Sequence, residues 1–123
     1  MARRILIIED DPDQRLVERT SLEAAGFEVL EAGNAKDGIV MAKREIPDII
    51  LMDIRLPYKA RGIGAARNIR KNNKTSHIPI IFVSAYASWE DSKEIESIPN
   101  CGYLKKSYGH KEFLEYIKRF IKE

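Results

Sequence analysis

The chain has 123 residues, the length of one ordinary domain, and its 33% charged and 44% hydrophobic residues are typical of a globular protein. The formal net charge is +2 and the basic residues are spread along the chain, so direct nucleic-acid binding is not indicated. One cysteine excludes an intramolecular disulfide, and no apolar run approaches the roughly 18 residues that a membrane span needs. Together with a start that lacks a signal-peptide segment, these features predict a cytoplasmic domain without membrane contact.

The first part of the chain predicts a strand, a helix and a second strand. The apolar run 5–8 is typical of a strand that is buried on both faces. Asp11 and Pro12 then form a helix start, an N-cap acceptor followed by proline at the first helical position. Three residues of this helix share one face at helical spacing: Leu16, Thr20 and Ala24. Gly26 is a left-handed C-terminal cap, and residues 27–30 are the second strand.

A second helix is predicted from about residue 35 to residue 44. Asn34 and Asp37 resemble a capping box at its start. Its packing candidates are Ile39, Val40 and Ala42. The dipeptide Ile46-Pro47 ends the helix, because the residue before a proline disfavours the helical conformation.

The third strand lies in the stretch 47–57, where an unbroken apolar run leads directly into Asp53. A run of this kind indicates a central strand of a parallel sheet. Ligands of open α/β sheets bind at the carboxyl ends of the strands, and Asp53 stands at such an end. Because burial of a lone charge is costly, this carboxylate is expected to have a functional reason.

The second half of the chain continues the alternation. A third helix is predicted at about 63–72, a fourth strand at 78–83, and a fourth helix capped by Ser88 that ends before Pro99. Residues 100–104 form the fifth strand, and an apolar stripe marks the last helix. Five strand–helix units in strict alternation predict an α/β fold, a doubly wound parallel sheet with helices on both faces.

Polar side chains stand at the carboxyl ends of these strands and therefore converge on one edge of the sheet: Glu9, Asp10, Asp53, Ser84 and Lys106. Taken singly, each also has an ordinary interpretation as a helix cap, a turn residue or a solvated lysine. Taken together, the carboxylates repel one another, since like charges about 4 Å apart cost about 4 kcal/mol at an effective dielectric constant of about 20. A divalent cation relieves this repulsion, and all-oxygen ligation with room for water suits Mg²⁺ or Mn²⁺.

Four segments of the chain, 5–11, 47–57, 79–85 and 102–106, resemble in order the motifs of response-regulator receiver domains of two-component signalling. The resemblance is to the single-domain, chemotaxis-regulator-like type and covers essentially the whole chain. It predicts one receiver domain over residues 1–123. It also implies a flavodoxin-like five-stranded sheet with strand order 2-1-3-4-5, which would bring Asp53 beside the first strand.

The resemblance implies that Asp53 is the phosphoryl acceptor. It implies that Glu9, through water, and Asp10 hold Mg²⁺, with the backbone carbonyl of Arg55 as a further protein ligand. Glu9, Asp10, Asp53 and Arg55 would thus form the metal site. The phosphoryl donor would be a phosphohistidine on a sensor histidine kinase or on a histidine phosphotransfer protein.

The resemblance also implies how the domain responds. Ser84 would hydrogen-bond the phosphoryl group, Lys106 would pair with it, and Tyr103 would be the aromatic switch residue. Movement of Ser84 would leave space for Tyr103 to turn inward and would change the surface of the fourth helix, fifth strand and fifth helix, where a downstream protein binds. Such a domain promotes its own phosphorylation and dephosphorylation but is not a multiple-turnover enzyme.

The chain departs from the family pattern after Lys106, where Ser107 stands in place of the usual proline. A cis bond without proline costs about 3–4 kcal/mol, so the loop differs or is strained, and Lys105 competes with Lys106 for the role. Arg55 and Tyr86 flank the site and are expected to shield the acyl phosphate. Two other functions stay open: a receiver-like binding module that is not phosphorylated, and a haloacid-dehalogenase-type phosphohydrolase, although such enzymes carry their nucleophile on the first strand.

Overall fold

The structure is a computed structural model that describes residues 3–54, 62–84, 89–106 and 109–121, with the backbone alone at residues 89 and 90. Its strands are β1 (Arg4–Ile8), β2 (Glu28–Ala32), β3 (Ile49–Asp53), β4 (Ile80–Ser84) and β5 (Cys101–Lys105). Its helices are α1 (Pro12–Ala24), α2 (Ala35–Glu45), α3 (Gly62–Lys71), α4 (Trp89–Glu96) and α5 (His110–Phe120). None of the helices in these described ranges has the length and apolar content needed to cross a bilayer.

All five strands are parallel and lie in the order β2-β1-β3-β4-β5. The predicted doubly wound sheet and its strand order are therefore confirmed. β1 and β3 are neighbours in register, with Ile8 opposite Met52. The chain thus leaves both strands at the same level, which brings the residues that follow them to one edge of the sheet.

The sheet is buried on both faces because alternate residues of each central strand enter two separate clusters. On one face, Leu6, Ile8 and Met52 pack with apolar residues of α2, α3 and α4. On the other face, Ile5, Ile7 and Leu51 pack with residues of α1 and α5. The apolar stripe of the last helix is part of this second cluster, with Phe113 and Ile117 buried as predicted. Continuous apolar runs are the sequence signature of this two-sided burial.

The predicted capping residues are found at the ends of α1 and at the start of α2. The Asp11 side chain accepts a hydrogen bond from the Asp13 amide at 2.9 Å, directly before Pro12. Asn34 accepts from the amide of Asp37 at 2.8 Å and caps α2. Gly26 has a φ of +95°, the left-handed conformation that favours glycine after a helix. The Ser88 cap lies outside the described residues.

The face that Leu16 shares with Thr20 and Ala24 is exposed, and one prediction about helix packing, that for Val40, is wrong. Leu16 is 61% exposed, and α1 buries Glu18 and Leu22 instead of the face that carries Leu16. The reason is that α1 packs against β2 and α5, which cover only that side of the helix. Val40 is likewise 54% exposed, whereas Ala42 on the same helix is fully buried.

Gly38 of α2 lies where no side chain fits. A Cβ atom there would stand 2.4 Å from Cδ1 of the buried Ile8. We expect Gly38→Ala to lower the free energy of unfolding by about 1–3 kcal/mol, because overpacking displaces Ile8. Equilibrium urea unfolding measures the change.

Gly64→Ala is the matched control for this prediction. Gly64 is also a helical glycine, but it is exposed. A Cβ atom there would meet no neighbouring atom within 4 Å outside its own helix backbone. We expect this variant to gain up to about 1 kcal/mol from the better helix propensity of alanine. Equal responses of the two variants would contradict the packing of Gly38 on Ile8.

Candidate functional site

The acidic side chains that follow β1 and end β3 come together at the carboxyl edge of the sheet. One carboxylate oxygen from each of Glu9, Asp10 and Asp53 lies within 4.8 Å of the others. Glu9 and Asp53 are 3% and 7% exposed, while Asp10 is exposed. The cluster therefore has two buried carboxylates and one that faces solvent.

Lys106 brings a positive charge to this cluster from the end of β5. Its Nζ lies 3.3 Å from Oε2 of Glu9 and 3.5 Å from Oδ2 of Asp53. Its backbone amide donates to the carbonyl of Ser84 at 2.9 Å, which ties the end of β5 to β4. Lys105 is exposed. Of the two lysines, Lys106 is the one that reaches the carboxylates.

The charges of this cluster are not balanced by one ammonium group. Burial, followed by the charge of Asp53 and a hydrogen bond with it, raises the pKa of Glu9 to about 8, although Lys106 acts in the opposite direction. Burial would lower the pKa of Lys106, but the charges of Asp53 and Glu9 outweigh it and raise that pKa above its ordinary value. The raised pKa of Glu9 and the raised pKa of Lys106 both indicate a site that favours additional positive charge, such as a bound cation.

Ser84 and Tyr103 lie next to the carboxylates on β4 and β5. Ser84 is 3% exposed, and its neighbour Val83 pairs with Asp53 in the sheet. The half-buried Tyr103 donates its hydroxyl hydrogen to the Ser84 carbonyl at 3.4 Å, and burial raises the pKa of this phenol. The backbone amide of Tyr103 donates to the hydroxyl of Tyr116 at 3.1 Å, which links β5 to α5.

Arg55, Tyr86 and Ser107, which the sequence analysis also associated with the site, lie outside the described residues. The proposed metal ligation by the Arg55 carbonyl therefore stays a prediction. So does the unusual Lys106–Ser107 step.

Two residues that contact the site were not singled out from the sequence. Gly62 donates its amide to the Ile54 carbonyl at 2.8 Å, and a Cβ atom on it would stand 2.0 Å from the backbone oxygen of Asp53. Only glycine permits so close a backbone approach. Arg15 donates from Nη1 to the carbonyl of Glu9 at 2.7 Å. A glycine after a loop and an arginine in a first helical turn are common, so neither carried a distinguishing signal.

The class of protein follows from comparison with known families. The profile of the response regulator receiver domain family matches residues 5–118, so the chain belongs to this family. Receiver domains are signalling modules of two-component systems rather than multiple-turnover enzymes, and they interact with histidine kinases and downstream partners. The family resemblance inferred from the four sequence segments is confirmed.

Particular relatives support the same assignment. The polar-differentiation response regulator DivK of Brucella anthropi is 30% identical over 121 residues, which are 98% of each chain. The receiver domain of the sensor histidine kinase PA1611 of Pseudomonas aeruginosa superposes with a TM-score of 0.89 at 29% identity and covers 100% of both chains. The chemotaxis protein CheY4 of Vibrio cholerae has a TM-score of 0.90 at 22% identity over 98% of this chain and 99% of its own, a likeness of fold.

The residues present fit a divalent cation. The PA1611 receiver structure has a magnesium ion coordinated in its active site cleft, and receiver domains bind this ion in an acidic pocket. Here the donor set is entirely carboxylate oxygen, from Glu9, Asp10 and Asp53, and Asp10 is open to solvent. Hard oxygen donors with room for water are the ligands that Mg²⁺ and Mn²⁺ prefer.

Repulsion between Asp53 and Glu9 can be measured as stability. In metal-free buffer above pH 8, where Glu9 with its pKa of about 8 is ionised, we expect Asp53→Asn to raise the free energy of unfolding by about 1 kcal/mol, since a shift of one pKa unit corresponds to about 1.4 kcal/mol. After burial, which is the largest cause, the charge of Asp53 is what raises the pKa of Glu9, and the substitution removes that charge. Urea unfolding in the presence of a chelator provides the measurement.

Asp10→Asn is the matched control, because Asp10 is the exposed member of the cluster; its gain should be smaller. Saturating Mg²⁺ should reverse the order and make the wild type the more stable protein, because ligands that bind only the folded state stabilise it. A destabilised Asp53→Asn protein in metal-free buffer would count against net repulsion at the site.

Proposed function

We propose that this chain is a phosphoacceptor switch of a two-component system or phosphorelay, in which Asp53 accepts a phosphoryl group from a phosphohistidine of a partner. The observation that carries the proposal is the position of Asp53. Its carboxylate is 7% exposed, ends the central strand β3, and lies 3.5 Å from the ammonium of Lys106 beside two further carboxylates. This combination gives a nucleophile, a positive charge and a cation site at one edge.

The cation of this site would be Mg²⁺, or Mn²⁺ in its place. Asp10 and Asp53 would hold it directly, Glu9 through water, and the Arg55 carbonyl would be a further ligand. When bound, the ion neutralises negative charge on the transferring phosphoryl oxygens. The oxygen donors within 4.8 Å of one another support this assignment.

The transfer uses the chain's own residues as follows. A carboxylate oxygen of Asp53 attacks phosphorus in line while the phosphorus–nitrogen bond of the phosphohistidine breaks, and the imidazole nitrogen keeps the bonding electron pair. Lys106 pairs with a phosphoryl oxygen, and the Ser84 hydroxyl donates to another. The product is an acyl phosphate that water later cleaves at phosphorus. Since Asp53 keeps the phosphoryl group as a signal until water removes it, the chain acts as a switch and not as a multiple-turnover enzyme.

The response to phosphorylation would run from Ser84 to Tyr103. Movement of the Ser84 hydroxyl toward the phosphoryl group leaves space into which Tyr103 turns, and the α4-β5-α5 surface changes for a downstream protein partner. Two contacts support this route. The Tyr103 hydroxyl is already 3.4 Å from the Ser84 carbonyl, and the Tyr103 amide is hydrogen-bonded to Tyr116 of α5.

The phosphoryl donor would be a sensor histidine kinase or a histidine phosphotransfer protein. The surface of α1, which begins two residues after Asp10, supports docking of a protein donor. Leu16 and Val17 on this helix are 61% and 60% exposed. Adjacent exposed apolar side chains beside a reactive site are typical of a protein contact. In this account residues 1–123 act as one receiver domain in the cytoplasm, without direct contact to nucleic acid or membrane.

Phosphorylation of the intact protein tests the proposal. We expect a small acyl-phosphate donor with Mg²⁺ to add one phosphoryl group, seen as a mass increase of the whole chain. Asp53→Asn should show no adduct, since an amide is not a competent nucleophile. Asp13→Asn, which removes an exposed carboxylate near the same edge, should be modified like the wild type. An adduct that survives Asp53→Asn, or multiple turnover on phosphate esters, would overturn the proposal.

The role of Lys106 has a matched test in the adjacent lysine. We expect Lys106→Met to slow the appearance of the adduct about 100-fold, because it removes the positive charge that meets the phosphoryl oxygens. Lys105→Met changes the same charge on an exposed neighbour and should keep the wild-type rate. Rapid-mixing mass spectrometry gives both rates. A slow Lys105→Met beside a normal Lys106→Met would transfer the role to Lys105.

A further inference from the structure

Arg15 connects the loop that carries the acidic residues to the neighbouring strand. Its Nη1 donates to the backbone carbonyl of Glu9 at 2.7 Å, and its Nε donates to Oε1 of Glu31 at 3.3 Å. Glu31 belongs to β2 and lies opposite Ile7 of β1. One guanidinium group thus joins α1, the end of β1 and β2.

Glu31 is itself held in place from α1. Its second carboxylate oxygen accepts a hydrogen bond from Nη1 of Arg19, whose Nε pairs with Glu23 at 3.2 Å. The Arg15 and Glu31 side chains are 23% and 28% exposed, so this pairing is partly shielded from water. A planar guanidinium with fixed donor directions, anchored on a carboxylate that is bonded twice, can hold a carbonyl oxygen in one orientation.

The contact with Glu9 matters because of the peptide group that it fixes. The Glu9 amide donates to the carbonyl of Ala32 in β2 at 3.0 Å, so Arg15 and Ala32 hold both backbone polar groups of Glu9. The Glu9 carbonyl lies in the same planar peptide unit as the nitrogen of Asp10. Since the Asp10 side chain is exposed, the orientation of this peptide plane sets the direction in which its carboxylate leaves the backbone.

We propose that Arg15, braced by Glu31, is a positioning residue that orients the Glu9–Asp10 peptide so that both carboxylates meet at the cation site. This inference rests on the proposed function, in which Glu9 and Asp10 serve the cation. Arg15 acts through the backbone of Glu9 and touches neither the cation nor the phosphoryl group. Removal of a group that orients metal ligands in this way typically lowers metal affinity about 10- to 100-fold.

The sign of the effect separates positioning from charge. If Arg15 acted only as a nearby positive charge, its removal would strengthen binding of a divalent cation, because like charges repel. If Arg15 positions the ligands, its removal weakens binding. The two roles therefore predict opposite changes in the same measurement.

The experiment compares Mg²⁺ binding to the full chain by isothermal titration calorimetry. We expect Arg15→Gln to bind Mg²⁺ about 10-fold more weakly than the wild type. Arg19→Gln is the matched control. It makes the same charge change one helical turn away and loses contacts with Glu31 and Glu23, but it leaves the Glu9 carbonyl bonded. Because Arg15 keeps both of its contacts in this variant, the Mg²⁺ affinity of Arg19→Gln should fall far less than that of Arg15→Gln.

Arg15→Lys keeps the positive charge but replaces the planar guanidinium that bonds the Glu9 carbonyl and Glu31 together, so we expect an intermediate loss of affinity. It also keeps the inference falsifiable if Arg15→Gln does not fold, as judged by circular dichroism. A metal-free readout is the NMR shift of the Glu9 carbonyl carbon, which reports the hydrogen bond directly. This resonance should move in Arg15→Gln and stay in Arg19→Gln.

Each result decides the inference. Weaker Mg²⁺ binding together with a displaced Glu9 carbonyl resonance, both much larger in the Arg15 variants than in Arg19→Gln, supports it. Equal affinities of Arg15→Gln and Arg19→Gln, or tighter binding by Arg15→Gln, overturn it while the proposed function stands. A wild-type protein that binds no Mg²⁺ would overturn the proposed function and this inference together.

Discussion

The contact of the Lys106 ammonium with two buried carboxylates is the interaction on which the rest of the site depends. Glu9 and Asp53 are almost fully buried, and burial followed by the charge of Asp53 raises the pKa of Glu9 to about 8. Buried charges are tolerated where they are paired, and Lys106 lies within 3.5 Å of both groups. One ammonium does not balance the cluster. The remaining negative charge is what a divalent cation, and with it a phosphoryl group, would meet.

The fold positions the carboxylates through the register of two neighbouring strands and the close packing around them. β1 and β3 are adjacent and in register, so the residues that leave them at the carboxyl edge are neighbours. Apolar clusters on both faces hold these strands rigidly, and the backbone of α3 approaches Asp53 so closely at Gly62 that no side chain fits between them. Close packing of this kind fixes the Asp53 carboxylate while leaving Asp10 open to solvent.

Most of the fold could be predicted because its determinants are local. Continuous apolar runs indicated the strands, and Asp11, Asn34 and Gly26 marked helix ends through hydrogen bonds and backbone conformations that span a few residues. The convergence of Glu9, Asp10 and Asp53 followed from parallel topology.

The exposure of helix faces could not be predicted in the same way. Helical spacing defines a face of a helix without showing whether another element covers that face, so the sequence did not show that Leu16 and Val40 are exposed. The contacts of Gly62 and Arg15 join segments distant in sequence and needed the folded structure. The choice between Lys105, the last residue of β5, and Lys106, which follows it, also required the folded structure, because the sequence alone did not show which of the two side chains meets the carboxylates.

The most direct test of the central claim is to locate the phosphoryl group chemically. Borohydride reduces an acyl phosphate to an alcohol, so the modified side chain can be identified by peptide mass spectrometry after phosphorylation in Mg²⁺. If the account is correct, the reduced residue is at position 53 and at no other acidic position. Reduction at Glu9 or Asp10, or the absence of any reduced residue in a protein incubated with the donor, would contradict it.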